Sequence, residues 1–133
     1  MKKEKQSLRS ELGRVRALGA AGVAATHHWW LQRLTAIALI PLCFIVLNGF
    51  FANVVFGTYD SAVHWLRSPF SATFVILFLG VGLHHGASGL QVVIEDYVHC
   101  ECTKLFSLIF VKFAAVTLAV LGILATVKVL FGV

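Results

Sequence analysis

Charge is what this sequence has least of. Only 13% of its 133 residues are Asp, Glu, Lys or Arg, while 59% are hydrophobic, a balance that excludes an ordinary soluble domain and belongs to membrane proteins. Cysteine is sparse as well. Cys43, Cys100 and Cys102 are odd in number and Cys43 sits inside an apolar run, so they do not write a disulfide framework. Cys100-Glu-Cys102 beside His99 has a metal-binding look, but with only those ligands in sight ordinary loop thiols are the reading. Also missing are a Gly-rich phosphate loop, a nucleophile triad and a complete metal-ligand set. A chain without catalytic apparatus of its own is non-catalytic alone and reads as a subunit. Neither an internal repeat nor a low-complexity linker divides it, so residues 1–133 form one domain.

What the sequence does have is three long apolar stretches, at about residues 34–56, 70–94 and 105–129. Each is long enough to cross a hydrocarbon core of about 30 Å as a helix. Residues 1–33 precede them as a basic arm carrying Lys2, Lys3, Lys5, Arg9, Arg14 and Arg16. Such a cluster can mark nucleic-acid binding, but followed by spanning segments it is a topology signal, and no nucleic-acid partner is expected. Ala17 to Ala25 resembles a signal-peptide core, yet it is weakly hydrophobic and runs straight into a polar-aromatic cluster, so the arm is expected to be retained. A mitochondrial-type targeting role for the arm stays open. Between the first two spans the connection from Gly57 to Ser68 has only Arg67 as a basic residue. The expectation is therefore an all-α membrane protein with three transmembrane helices, N-terminus inside and C-terminus outside. Pro41 falls inside the first span, where a bundle tolerates it, and Pro69 suits the first turn of the second. Lys112 and Lys128, near the ends of the third, are read as snorkelling.

Two places carry polar chemistry. His27-His-Trp-Trp-Leu-Gln-Arg33 stands just ahead of the first span, with tryptophans suited to the membrane–water boundary. Arg33 is either a snorkelling anchor or a cation aimed at a buried anion, with His27 helping. The second place is the stretch from His84-His85 to Asp96-Tyr97. At about 100° per residue, His85, Gly89 and Asp96 return to nearly one helix face, and His85 and Asp96 are separated by roughly 16 Å of rise. An imidazole thus lies near mid-depth, with a carboxylate near one surface. Gly86 and Gly89 would leave room for a flat group or a close helix. A membrane-buried histidine can ligate haem, relay protons or bond a neighbouring helix, and the residues alone leave all three open.

The pattern Arg33-Leu-Thr-Ala-Ile, followed by His85-x-x-x-Gly89-x-Gln91-x-x-x-x-Asp96-Tyr97, resembles the hydrophobic membrane anchor subunits of succinate dehydrogenase, the D-type anchors of respiratory complex II. The resemblance covers most of the chain from His27 onward. It implies a three-helix subunit paired with a second membrane anchor subunit, the two sharing one haem b. The iron–sulfur subunit and the flavoprotein subunit are then held on the inner face, with ubiquinone as substrate. By position, His85 would be the haem iron axial ligand, His27 and Arg33 would approach the haem propionates, and Tyr97 with Asp96 would bind the quinone. Its membrane would be the bacterial inner (plasma) membrane or the mitochondrial inner membrane. A fumarate reductase anchor is a close variant. From other classes come a small proton- or ion-conducting or transporter subunit, with His84, His85, Glu95 and Asp96 as relay, and an anchor without cofactor.

Overall fold

A computed structural model describes residues 19–132, with side chains from Thr26 onward. The basic arm residues Lys2 to Arg16 lie outside the described residues. Helix α1 runs Gly19–Phe50 and continues as a π-helical turn, Phe51–Val55. Short helix α2 is Tyr59–Arg67, α3 is Pro69–Tyr97 and α4 is Glu101–Phe131. Three segments are long and apolar enough to cross a membrane, Thr26–Val55, Pro69–Tyr97 and Glu101–Phe131. In lipid the backbone has to satisfy its own hydrogen bonds, which is why apolar runs of this length settle as unbroken helices. The helices extend beyond the apolar cores expected from hydropathy, because a helix does not stop where its side chains become polar. Residues up to Leu31 and residues from Gln32 onward form two separate units. The packing below is that of the second.

Few described side chains are buried. They are Leu42, Val46, Ala72 and Thr126, while Phe44, Phe110, Phe113 and Leu121 point outward. That is the expected distribution where lipid replaces water, because burial of apolar area no longer drives helices together. Close fit and interhelical hydrogen bonds do that instead. The inward side of α1 is a seam of Gln32, Thr35, Leu39, Leu42, Val46 and Gly49, at alternating steps of three and four residues as in a coiled-coil face. Its contacts run antiparallel along the chain. Gln32 and Thr35 meet His85, Leu39 lies against Gly82, and the Trp65 ring fills the space at Gly49.

Helices α3 and α4 also pack antiparallel. Lys104 reaches the Glu95 carbonyl at one end, Leu79 sits over Gly122 further along, and Arg67 lies beside Gly132 at the other end. Gly132 adopts φ 72° and closes α4, its N–H bonding back to Val129. Glycine suits this left-handed cap, and the neighbouring guanidinium faces the negative end of the helix. The buried Thr126 hydroxyl donates to the Gly122 carbonyl at 2.8 Å, so it adds no unsatisfied group.

The connection from Gly57 to Ser68, expected as a loop, contains α2. Thr58 and Ser61 cap it reciprocally, with Ser61 N–H donating to Thr58 Oγ1 and Thr58 N–H to Ser61 Oγ. Asp60 stands in its first turn, where a negative charge suits the helix N-terminus. Only nine residues long, α2 would be marginal alone. Its contacts with α3, α4 and the π-helical turn hold it in place.

Gly122 has no room for a side chain, since an added Cβ would lie 2.8 Å from Leu79 Cδ1, whereas at Gly80 nothing lies within 4 Å. Gly122→Val should lower stability by about 1–3 kcal/mol through overpacking, and Gly80→Ala should not lower it. Thermal unfolding of the detergent-solubilised protein checks the contrast.

Candidate functional site

The polar centre of the bundle is built by α1 and α3 around His85. Its Nδ1 lies 2.9 Å from Thr35 Oγ1, and the same hydroxyl lies 3.1 Å from the Gln32 carbonyl oxygen. The Gln32 amide nitrogen in turn donates to the His85 carbonyl at 3.4 Å. All three residues are half-buried, and Gln32 Oε1 is buried with no hydrogen-bond partner among the described residues. Two helices that are apolar elsewhere are thus joined by polar contacts at one level. Gln32 and Thr35 fall within the motifs of the sequence, Thr35 in Arg33-Leu-Thr-Ala-Ile, but nothing there pairs either with His85. The only hint was polarity at the inward positions of an otherwise apolar span.

Of the two uses open to Gly89, room for a flat group or a close helix, the structure shows the second. Gln32 fills the space, with Nε2 only 3.4 Å from where a Cβ would sit. The physical reason is that α1 uses the small residues of α3 to approach closely, so Gly82 and Gly89 are taken up in helix packing. Gly86, by contrast, is open among the described residues, with none of their atoms within 4 Å of where a Cβ would sit.

Because α3 is unbroken from Pro69 to Tyr97, the phase relation between His85 and Asp96 holds along it. Asp96 and Tyr97 form its exposed end, and neither side chain has a hydrogen-bond partner among the described residues. Glu95 is engaged, its carboxylate accepting from Gln91 Nε2 at 2.7 Å and its carbonyl from Lys104 at 3.1 Å. His84 is exposed, about a quarter-turn away from His85. Arg33 is exposed in the second unit, and His27 is exposed in the first. Among the described residues no three His, Cys, Asp or Glu side chains gather as a metal-binding group.

Cys100 caps α4 and is exposed. The Thr103 backbone amide holds its thiol below the ordinary range, helped by the Thr103 hydroxyl and the Cys102 amide and opposed slightly by burial.

Three spans linked by short connections, with a histidine-centred hydrogen-bond cluster between two of them, define a multi-pass membrane subunit. Residues 3–125 match the family described as succinate dehydrogenase/fumarate reductase transmembrane subunit. Similar proteins named succinate dehydrogenase hydrophobic membrane anchor subunit occur in several bacteria. That of Rickettsia bellii (strain RML369-C) is 32% identical over 117 residues, 88% of this chain and 92% of the relative. That of Rickettsia felis (strain ATCC VR-1525 / URRWXCal2) is 33% identical over 97 residues, 72% and 80% respectively. That of Paracoccus denitrificans is 31% identical over 99 residues, 70% and 73%. The chain belongs to the succinate dehydrogenase/fumarate reductase transmembrane subunit family, as a membrane anchor subunit.

The lowered Cys100 thiol is open to a direct measurement. Alkylation of Cys100, followed by mass spectrometry across pH, should set in at lower pH in the wild type than in Thr103→Val. That substitution removes the hydroxyl and leaves the backbone amides, so it should move the profile upward only in part.

Proposed function

We propose that this subunit pairs with a second membrane anchor subunit and that the two hold one haem b between them. The flavoprotein and iron–sulfur subunits dock on the inner face, where electrons from succinate reach ubiquinone. The observation that carries this reading is the half-buried His85 with its Nδ1 held by Thr35, which leaves Nε2 as the ring atom for an axial bond. The residues fit one half of a bis-histidine site. His85 would supply one imidazole, the adjacent His84 is turned about 100° away around the helix, and the partner anchor would supply the second. A haem held there would supply one-electron redox chemistry.

The other assignments rest on the family pattern together with simple electrostatics. Arg33 is the cationic partner for the propionates with His27 helping, and a charge-assisted bond from Arg33 contributes on the order of 1.5–3 kcal/mol. Tyr97 donates its hydroxyl proton in a hydrogen bond to a quinone carbonyl, orienting the ring at the helix end. Asp96 beside it either tunes protonation of the quinone or holds a basic group of a partner subunit. Reduction of the quinone to quinol takes two electrons and two protons, and an exposed carboxylate at the membrane boundary is well placed to pass protons from water. The basic residues ahead of α1 put the N-terminus inside, and two crossings return Tyr97 to that same side.

A histidine that only joins two helices would make the same contact with Thr35, so the haem spectrum is the test of this reading. His85→Ala in the purified complex should abolish or shift the low-spin bis-histidine spectrum, while His84→Ala should leave it largely intact. An unchanged spectrum in His85→Ala leaves His85 as a purely structural residue.

The quinone assignment has its own readout. In Tyr97→Phe, succinate–quinone activity should fall while succinate oxidation by a soluble artificial acceptor survives. Equal loss of both would mean failed assembly and would remove Tyr97 from the quinone site.

A further inference from the structure

The hydrogen bonds around Thr35 have a direction, and that direction fixes a proton. A threonine hydroxyl carries one hydrogen and can accept at its lone pairs. The polar neighbours of Thr35 Oγ1 include the Gln32 carbonyl oxygen at 3.1 Å and His85 Nδ1 at 2.9 Å. The carbonyl can only accept, whereas Nδ1 can donate or accept. If Nδ1 carried no proton, one hydroxyl hydrogen would have to serve two acceptors, and one contact would set lone pair against lone pair. If Nδ1 carries the proton, both contacts are satisfied in a chain, Nδ1–H to Oγ1 and Oγ1–H to the Gln32 carbonyl. Back-donation from a threonine to a carbonyl of its own preceding turn is ordinary helix chemistry. In a span surrounded by lipid, the arrangement that leaves no polar atom unpaired is favoured more strongly than in water.

We infer that Thr35 is a positioning residue that holds His85 as the Nδ1–H tautomer and so keeps the Nε2 lone pair available to a metal. The inference rests on the haem reading for its consequence, though not for the tautomer itself. With Nδ1–H donating to an oxygen, the imidazole becomes a more basic ligand, which favours the oxidised iron. Thr35 also fixes the ring orientation, because His85 can meet Oγ1 at 2.9 Å only over a narrow range of side-chain torsions.

The test is a comparison of Thr35→Val, which keeps the shape and removes the hydroxyl, with Thr35→Ser, which keeps the hydroxyl, in the assembled complex. Thr35→Val should raise the haem midpoint potential and Thr35→Ser should return it toward wild type. A potential unchanged in Thr35→Val overturns the inference. Nitrogen NMR of complex assembled without haem and labelled with 15N-histidine supplies a second readout in which no iron holds the tautomer, with the His85 signals assigned by their loss in His85→Ala. Wild type and Thr35→Ser should show a proton on Nδ1, and in Thr35→Val it should redistribute between the two ring nitrogens. A wild-type proton on Nε2, or one held on Nδ1 unchanged in Thr35→Val, overturns the assignment. If His85→Ala leaves the haem spectrum intact, the haem reading fails by itself, and the nitrogen spectra still decide the role of Thr35.

Discussion

An imidazole placed inside lipid has to find its hydrogen bonds within the protein, and the rest of this bundle follows from that requirement. The energetic reason is the cost of leaving a polar group unpaired in a medium that offers no water. The His85 ring meets it through Thr35, and Gln32 adds a bond to the His85 backbone carbonyl, which brings α1 against α3 at that level. Once the two backbones are held close there, their neighbours along the seam have to be small or complementary. Gly89 accepts Gln32 and Gly82 accepts Leu39.

The same economy governs the remaining contacts. Leu79 over Gly122 and Trp65 over Gly49 are knobs seated where a residue lacks a side chain, the packing that joins helices when lipid is as apolar as leucine. The end contacts are polar instead. Lys104 on the Glu95 carbonyl and Arg67 beside Gly132 place cations at the C-terminal ends of α3 and α4, where the exposed carbonyls carry partial negative charge. Position along the span therefore selects the type of interaction, close fit within the core and charge at the boundaries.

For a membrane anchor subunit, the division of faces matters as much as the bundle interior. Residues such as Phe44, Phe110 and Phe113 are largely exposed along the spans, a surface suited to lipid or to the transmembrane helices of partner chains. His85 links this chain's inner packing to the proposed cofactor chemistry, since one ring nitrogen faces Thr35 and the other is left to serve a ligand. A histidine with two such roles constrains both the helix spacing and the electronic character of whatever it binds.

Much of this was legible without coordinates. Three apolar runs bounded by polar connections specify three helices, because in a bilayer length and hydropathy leave the backbone almost no alternative. The spacing from His85 to Asp96 was readable as one helix face ending at a boundary, since helical phase is a local property. The short helix α2 escaped notice because its cap pairs Thr58 with Ser61 rather than with Glu or Gln, and because its stability comes from packing on the neighbouring helices. The seam from Gln32 to Gly49 was hidden for a different reason. Hydropathy separates core from surface only when the surface is wet, and here lipid-facing and helix-facing residues are equally apolar. Which glycines are filled and which stay open, and that His85 meets Thr35, depend on how α1 and α3 align across a long separation in sequence. That alignment is a property of two helices together, so only the tertiary structure decides it.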